Sequence, residues 1–115
     1  MTLDDLTAEL RRFAAERDWE RFHTPKNLAV SLAIEVGELL ECVQWGSDAE
    51  IAALAARPDG RAALAEELAD VFIYLVRLAD VVDVDLLAAA FAKVAANAER
   101  YPAGEVRGSS AKRSH

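Results

Sequence analysis

Two long apolar segments at helical spacing each carry a pair of acids three residues apart, Glu35 with Glu38 and Glu67 with Asp70. Residues three apart lie on one face of a helix with Cβ atoms about 5–6 Å apart, so each pair directs its carboxylates the same way. In the first segment Leu28, Leu32, Ile34, Val36, Leu39, Leu40 and Val43 cover more than one narrow stripe. In the second, Leu64, Leu68, Val71, Phe72, Leu75, Val76 and Leu78 do the same. Helices with that profile belong at the centre of a fold, and acids at their midpoints face a partner helix or a cavity. Two like charges about 5 Å apart repel by roughly 3 kcal/mol at an effective dielectric near 20, so four converging carboxylates require a cation or protons.

The remaining sequence fits an all-α fold. Alanine and leucine dominate, three prolines and five glycines interrupt the 115 residues, and apolar positions recur at three and four rather than two. Thr2 is placed to cap a first helix through Leu6, Leu10 and Phe13 to about Arg21. Thr24 and Pro25 form the start of a second helix running to about Trp45, and Gly46 ends it. Ser47 with Glu50 has the capping-box pattern of a short helix through Leu54, after which Arg57 to Gly60 breaks the chain. A fourth helix is predicted from Arg61 to about Val82, and a last one capped by Asp83 that stops at Tyr101, before Pro102. The expected architecture is a four-helix bundle core with one short extra helix, one domain over residues 1–102. Residues 103–115 are small and polar and are predicted to be a disordered tail.

Charge narrows the function. The formal net charge is −7, from 20 acids against 13 bases, which argues against a basic face that grips a nucleic-acid duplex. No apolar run approaches the roughly 20 residues that span a bilayer. A single cysteine, Cys42, cannot make an internal disulfide, and the N-terminus lacks the layout of a secretion signal. A cytoplasmic protein is expected.

On the first acidic helix Glu35 and Glu38 share a face with Ser31, Cys42 and Trp45, and on the second Glu67 and Asp70 share one with Tyr74 and Arg77. All the candidate ligands are oxygens, a donor set suited to Mg²⁺, Mn²⁺ or Ca²⁺. Glu41 and Glu66 stand in the same neighbourhood at i,i+3 and i,i+4 spacing and compete as ligands on geometry alone. The Glu-x-x-His motif of a di-iron bundle is absent, the histidines being His23 and His115.

These motifs together resemble a known family. Over residues 7–102 the chain is similar to the all-α nucleoside triphosphate pyrophosphohydrolases of the MazG superfamily, in the branch typified by dCTP pyrophosphatase. The likeness rests on Arg17 to Trp19, Phe22 and His23, Pro25 to Leu28, Glu35 to Leu39, Gln44 and Trp45, Glu66 to Leu75, and Lys93, Asn97, Tyr101 and Pro102. The signature Glu-x-x-Glu followed by Glu-x-x-Asp is met with 28 residues, 39 to 66, between the pairs.

The resemblance implies that Glu35, Glu38, Glu67 and Asp70 hold Mg²⁺, with Mn²⁺ as a substitute. It implies hydrolysis of a nucleoside triphosphate, dCTP or a modified dCTP, to the monophosphate and pyrophosphate, as nucleotide-pool house-cleaning. It further implies that Lys93 and Arg100 contact phosphates and that Asn97 reads a base edge or a sugar hydroxyl. Trp19, Trp45, Tyr74 and Tyr101 then line the base pocket, and His23 contacts the base or the phosphates. Members assemble as dimers or tetramers, so self-association is expected. One departure stands in the first helix, where Leu10 occupies the position of a histidine in vertebrate members. Two other readings are a non-catalytic helical interaction module, and a pyrophosphohydrolase of ribonucleotides or a phosphoribosyl intermediate.

Overall fold

A computed structural model of the chain describes residues 1–110, and among them every regular element is helical. The helices are α1 (Leu3–Glu16), α2 (Pro25–Val43), α3 (Asp48–Ala56), α4 (Pro58–Val81), α5 (Leu86–Arg100) and α6 (Ala103–Val106), with a 3-10 turn at Glu20–Phe22 between α1 and α2. The all-α expectation is met. Among the described residues no helix is long and apolar enough to cross a membrane. The chain divides into two compact units. Met1–Asp83 holds α1 to α4, and the second unit begins at Val84 and holds α5 and α6.

Local chemistry explains the helix starts. Thr2 accepts from the Asp5 N–H at 3.0 Å while the Asp5 carboxylate accepts from the Thr2 N–H, a reciprocal capping box. Thr24 accepts from the Asn27 N–H at 3.2 Å with Pro25 in the first turn, and Ser47 with Glu50 repeats the box at α3.

The helix ends depart from expectation. α1 stops at Glu16 rather than Arg21, because Asp18 adopts a left-handed backbone with φ 53°. The Trp19 N–H then bonds back to the Ala14 carbonyl and the Asp18 N–H to that of Ala15, the paired closure that ends a helix and turns the chain. Asp83, at φ 58°, closes α4 in the same conformation instead of capping the last helix, and the cap of α5 is Asp85, which accepts from the Ala88 N–H at 3.0 Å. α4 begins at Pro58, three residues before the predicted start, since proline fits the first helical turn without a donor to lose. Within residues 103–115, Ala103–Val106 forms one helical turn after Pro102, where the sequence predicts a disordered tail; residues 111–115 lie outside the described residues.

In the first unit α4 is the hub, packed most extensively against α2 and also against α3 and α1. Gly60 makes the α3–α4 approach. A Cβ there would meet the Leu54 carbonyl oxygen at 2.2 Å and its side chain at 2.7 Å. Gly60→Ala is expected to destabilise the protein by about 1–3 kcal/mol, as overpacking does, and urea unfolding checks it. The buried apolar core comprises Ala14, Leu28, Val76 and Ala79. Burial of α2 and α4 nearly all round is not realised in the single chain: Ile34 (57 %), Leu40 (57 %), Leu68 (56 %) and Phe72 (45 %) remain exposed. The neighbouring helices of this unit do not extend over those positions, each of which, already about half covered, would contribute about 1 kcal/mol more if buried.

Candidate functional site

Ser31 on α2 and Tyr74 on α4 line one hollow, and further along both helices Glu38 faces Glu67. α2 and α4 therefore run antiparallel, and their acidic pairs fall opposite each other. One carboxylate oxygen from each of Glu35, Glu38, Glu67 and Asp70 lies within 4.8 Å of the others. Glu41 and Glu66, which spacing alone left in competition, are not among the converging ligands, although their charges are felt at Glu67.

The electrostatics match that crowding. Burial, the hydrogen-bonding approach of Glu38 and the charges of Glu38, Asp70 and Glu67 push the Glu35 carboxyl above its ordinary value. Burial and the charges of Glu38, Asp70, Glu66 and Glu41 do the same to Glu67. Glu35 Oε2 and Glu67 Oε2 are buried with no hydrogen-bond partner. Buried carboxylate oxygens left unpaired are costly, and a cation that accepts their lone pairs relieves them. Four convergent carboxylates, two of which carry a buried oxygen without a partner, fit a hard divalent cation.

One turn from the acids is an aromatic hollow of about 240 Å³ lined by Trp19, Phe22, His23, Asn27, Leu28, Ser31 and Tyr74. At 1.5 Å rise per residue, Tyr74 stands about 6 Å along α4 from Asp70, and Ser31 about 6 Å along α2 from Glu35. The Asn27 side-chain amide donates to the Phe22 carbonyl at 3.1 Å and ties the 3-10 turn to α2. Trp19 meets the Phe13 ring edge-on at 5.8 Å between centroids, and the Arg17 guanidinium lies 3.6 Å from the centroid of that Phe13 ring. His23 receives a hydrogen bond from Arg77, which the sequence placed on the α4 face without a role. Burial and the Arg77 charge, partly opposed by Glu20, lower the affinity of His23 for a proton.

The structure thus brings together Trp19, His23 and Tyr74 beside the four acids. It does not bring Trp45 to them. That ring is 88 % exposed and borders a separate hollow of about 470 Å³ with Glu41, Cys42, Ile51, Leu54 and Arg57. Trp45 lies fourteen residues beyond Ser31, about 21 Å further along the α2 direction, so it stands at the α3 end of the helix and not at the Trp19 end. Lys93, Asn97, Arg100 and Tyr101 share one side of α5 and its cap in the second unit, with the Arg100 guanidinium 5.9 Å from the Tyr101 ring centroid. Sequence reasoning passed over Asn27 and Phe22 as lining residues. The signal was present in the proline-started turn that links them.

The fold and the site define an all-helical protein with a cluster of four acids suited to a divalent cation beside an aromatic hollow. The family model described as the MazG-like family matches residues 30–115, and the chain belongs to that family. It is 53 % identical over 111 residues to dCTP pyrophosphatase 1 of Rattus norvegicus and 51 % identical over 111 residues to that of Homo sapiens, covering 96 % of this chain in both. The chain spans 65 % of the length of those relatives. A crystal structure of a pyrophosphatase from Archaeoglobus fulgidus DSM 4304 superposes with a TM-score of 0.80 at 44 % identity, covering 86 % of this chain and 91 % of that one.

Proposed function

We propose that this chain is a Mg²⁺-dependent nucleoside triphosphate pyrophosphohydrolase that converts dCTP, or a modified dCTP, to the monophosphate and pyrophosphate in the cytoplasmic nucleotide pool. The observation that carries the reading is the convergence of Glu35, Glu38, Glu67 and Asp70 on two antiparallel helices whose next turns line an aromatic hollow. Similarity to dCTP pyrophosphatase 1 over nearly the whole chain supports the substrate class.

Glu35, Glu38, Glu67 and Asp70 would hold the divalent ion, which would supply neutralisation of the triphosphate charge and of the charge developing on the leaving pyrophosphate. Water attacks the α-phosphorus, a P–O bond forms there, and the bond to the bridging oxygen of the β-phosphate breaks. One of the four carboxylates accepts the proton from that water. Trp19 and Tyr74 pack the base, and the short rise from Tyr74 to Asp70 suits a base and its own α-phosphate.

Residues 1–102 form the working domain. Lys93 and Arg100 contact phosphate oxygens, Asn97 pairs with a base edge or sugar hydroxyl, and Tyr101 adds aromatic surface. Self-association as a dimer or tetramer covers Ile34, Leu40, Leu68 and Phe72 and completes the pocket. The test is pyrophosphate release from the common dNTPs, the NTPs and 5-methyl-dCTP, with Mg²⁺ and with EDTA. Release confined to the Mg²⁺ samples, with a monophosphate product and a cytosine nucleotide ranked first, is expected. No release from any nucleotide would replace this reading with a helical interaction module.

A further inference from the structure

Four polar side chains that the cation centre does not use form one connected chain across the first unit. Arg77 on α4 donates from Nε to His23 Nδ1 at 3.0 Å and from Nη1 to Asp80 Oδ2 at 3.2 Å. Asp80 is also gripped by Arg11 on α1, with Arg11 Nε donating to Oδ2 at 2.8 Å and Nη2 to Oδ1. The side chains of Arg77 and Asp80 are only 11 % and 12 % exposed, so their contact is shielded from the competition with water that weakens surface ion pairs. The hydrogen bond and the charge of Arg11, with those of Arg77, hold the Asp80 carboxyl below its ordinary value and outweigh the effect of its burial.

Arginine Nε always carries its proton, so the His23 nitrogen that meets it must present a lone pair. An imidazole with a lone pair on Nδ1 is neutral and carries its proton on Nε2. Protonating Nδ1 would break the contact and set two cations side by side. Nε2 has no hydrogen bond within the described residues, and the ring lines the hollow that holds Trp19, Ser31 and Tyr74.

We propose that Arg77, held by Asp80 and braced by Arg11, is a positioning residue that fixes His23 as a neutral Nε2–H donor to an acceptor atom of the ligand in the Trp19–Tyr74 hollow. The acceptor is a carbonyl oxygen or unprotonated ring nitrogen of a nucleobase, and that identity rests on the nucleotide reading above. A fixed donor of this kind discriminates, because a base that offers its own donor at the same point leaves two donors facing each other.

Two measurements test it on the full chain. In the wild type, side-chain ¹⁵N shifts of His23, assigned by their loss in His23→Gln, are expected to report an unprotonated Nδ1 and a protonated Nε2 at neutral pH. Arg77→Gln and Asp80→Asn are expected to shift His23 toward a mixture of tautomers, with the helical circular dichroism unchanged. If Arg77→Gln does not fold, Asp80→Asn, which keeps the shape and loosens Arg77, gives the reading. A folded variant whose tautomer matches the wild type overturns the positioning role.

In dCTP hydrolysis, Arg77→Gln and His23→Ala are each expected to raise KM about fivefold to tenfold, the worth of one hydrogen bond, with kcat within twofold. The double variant is expected to lose no more than either single one. Losses that multiply would mean that Arg77 acts separately from His23 and would overturn the proposal. Absence of hydrolysis by the wild type removes the nucleotide reading and the ligand half with it, while the nitrogen shifts decide the positioning independently.

Discussion

Alanine at Glu38 or at Asp70 is expected to lower pyrophosphate release from dCTP by about 10²–10³-fold, the scale on which a single element of transition-state charge stabilisation is lost. Each substitution takes one of four oxygens that lie within 4.8 Å of one another. The remaining acids then hold a cation with fewer ligands and a poorer geometry. Helical circular dichroism is expected to be unchanged, because removing a crowded carboxylate relieves repulsion instead of opening the core. Steady-state kinetics with saturating Mg²⁺ checks the loss, and near wild-type turnover in both variants would sink the assignment of these acids. Glu41→Ala, outside the converging group, is expected to retain most activity and serves as the control.

Divalent cation is expected to raise the melting temperature more at alkaline than at acidic pH. At about one hundred times its dissociation constant a ligand stabilises by roughly 2.7 kcal/mol, which for a domain of this size is a rise of roughly 10 °C or more. Folding raises the proton affinity of the Glu35 and Glu67 carboxyls. Their contribution to the metal-free protein is therefore complete below the ordinary carboxylate range and is lost as pH rises through their folded values. His23 has the opposite sign, since its lowered affinity contributes stability above the ordinary histidine range that is lost on acidification. That contribution is common to both samples and cancels in the difference between Mg²⁺ and EDTA. Differential scanning fluorimetry from about pH 5 to about pH 8 is expected to show this difference growing with pH. Glu67→Gln is expected to raise the melting temperature in EDTA and to flatten the difference. A difference independent of pH in the wild type would contradict the metal centre.

Local signals carried much of the fold into the sequence. Thr2, Thr24 and Ser47 cap where their spacing to Asp5, Asn27 and Glu50 says they must, because a cap is decided within four residues. The four acids were legible for the same reason, each pair being an i,i+3 relation on its own helix. The helix ends at Asp18 and Asp83 were less legible, since glycine is the usual sign of a left-handed closure and here aspartate adopts it. Asp80 and Arg11 are 69 residues apart, and no periodicity announces their pairing. Arg77 looked like one more charge on the acidic face until the fold set His23 against it. Trp45 illustrates the limit of motif reading: it shares a helix face with Glu38 by spacing, yet it stands just past the end of α2, where its neighbours belong to α3.

Writing both the acids and the hollow onto α2 and α4 makes the site a ruler whose marks cannot be moved independently. A residue inserted between Asp70 and Tyr74 would turn everything beyond it by about 100° and carry Tyr74 off the shared face, whichever side chain was added. An insertion in the stretch between Val43 and Pro58 changes none of those marks. The molecule should therefore tolerate length variation around α3 and reject it within either acidic helix, so that the distance from the four acids to the aromatic hollow is inherited as a fixed length.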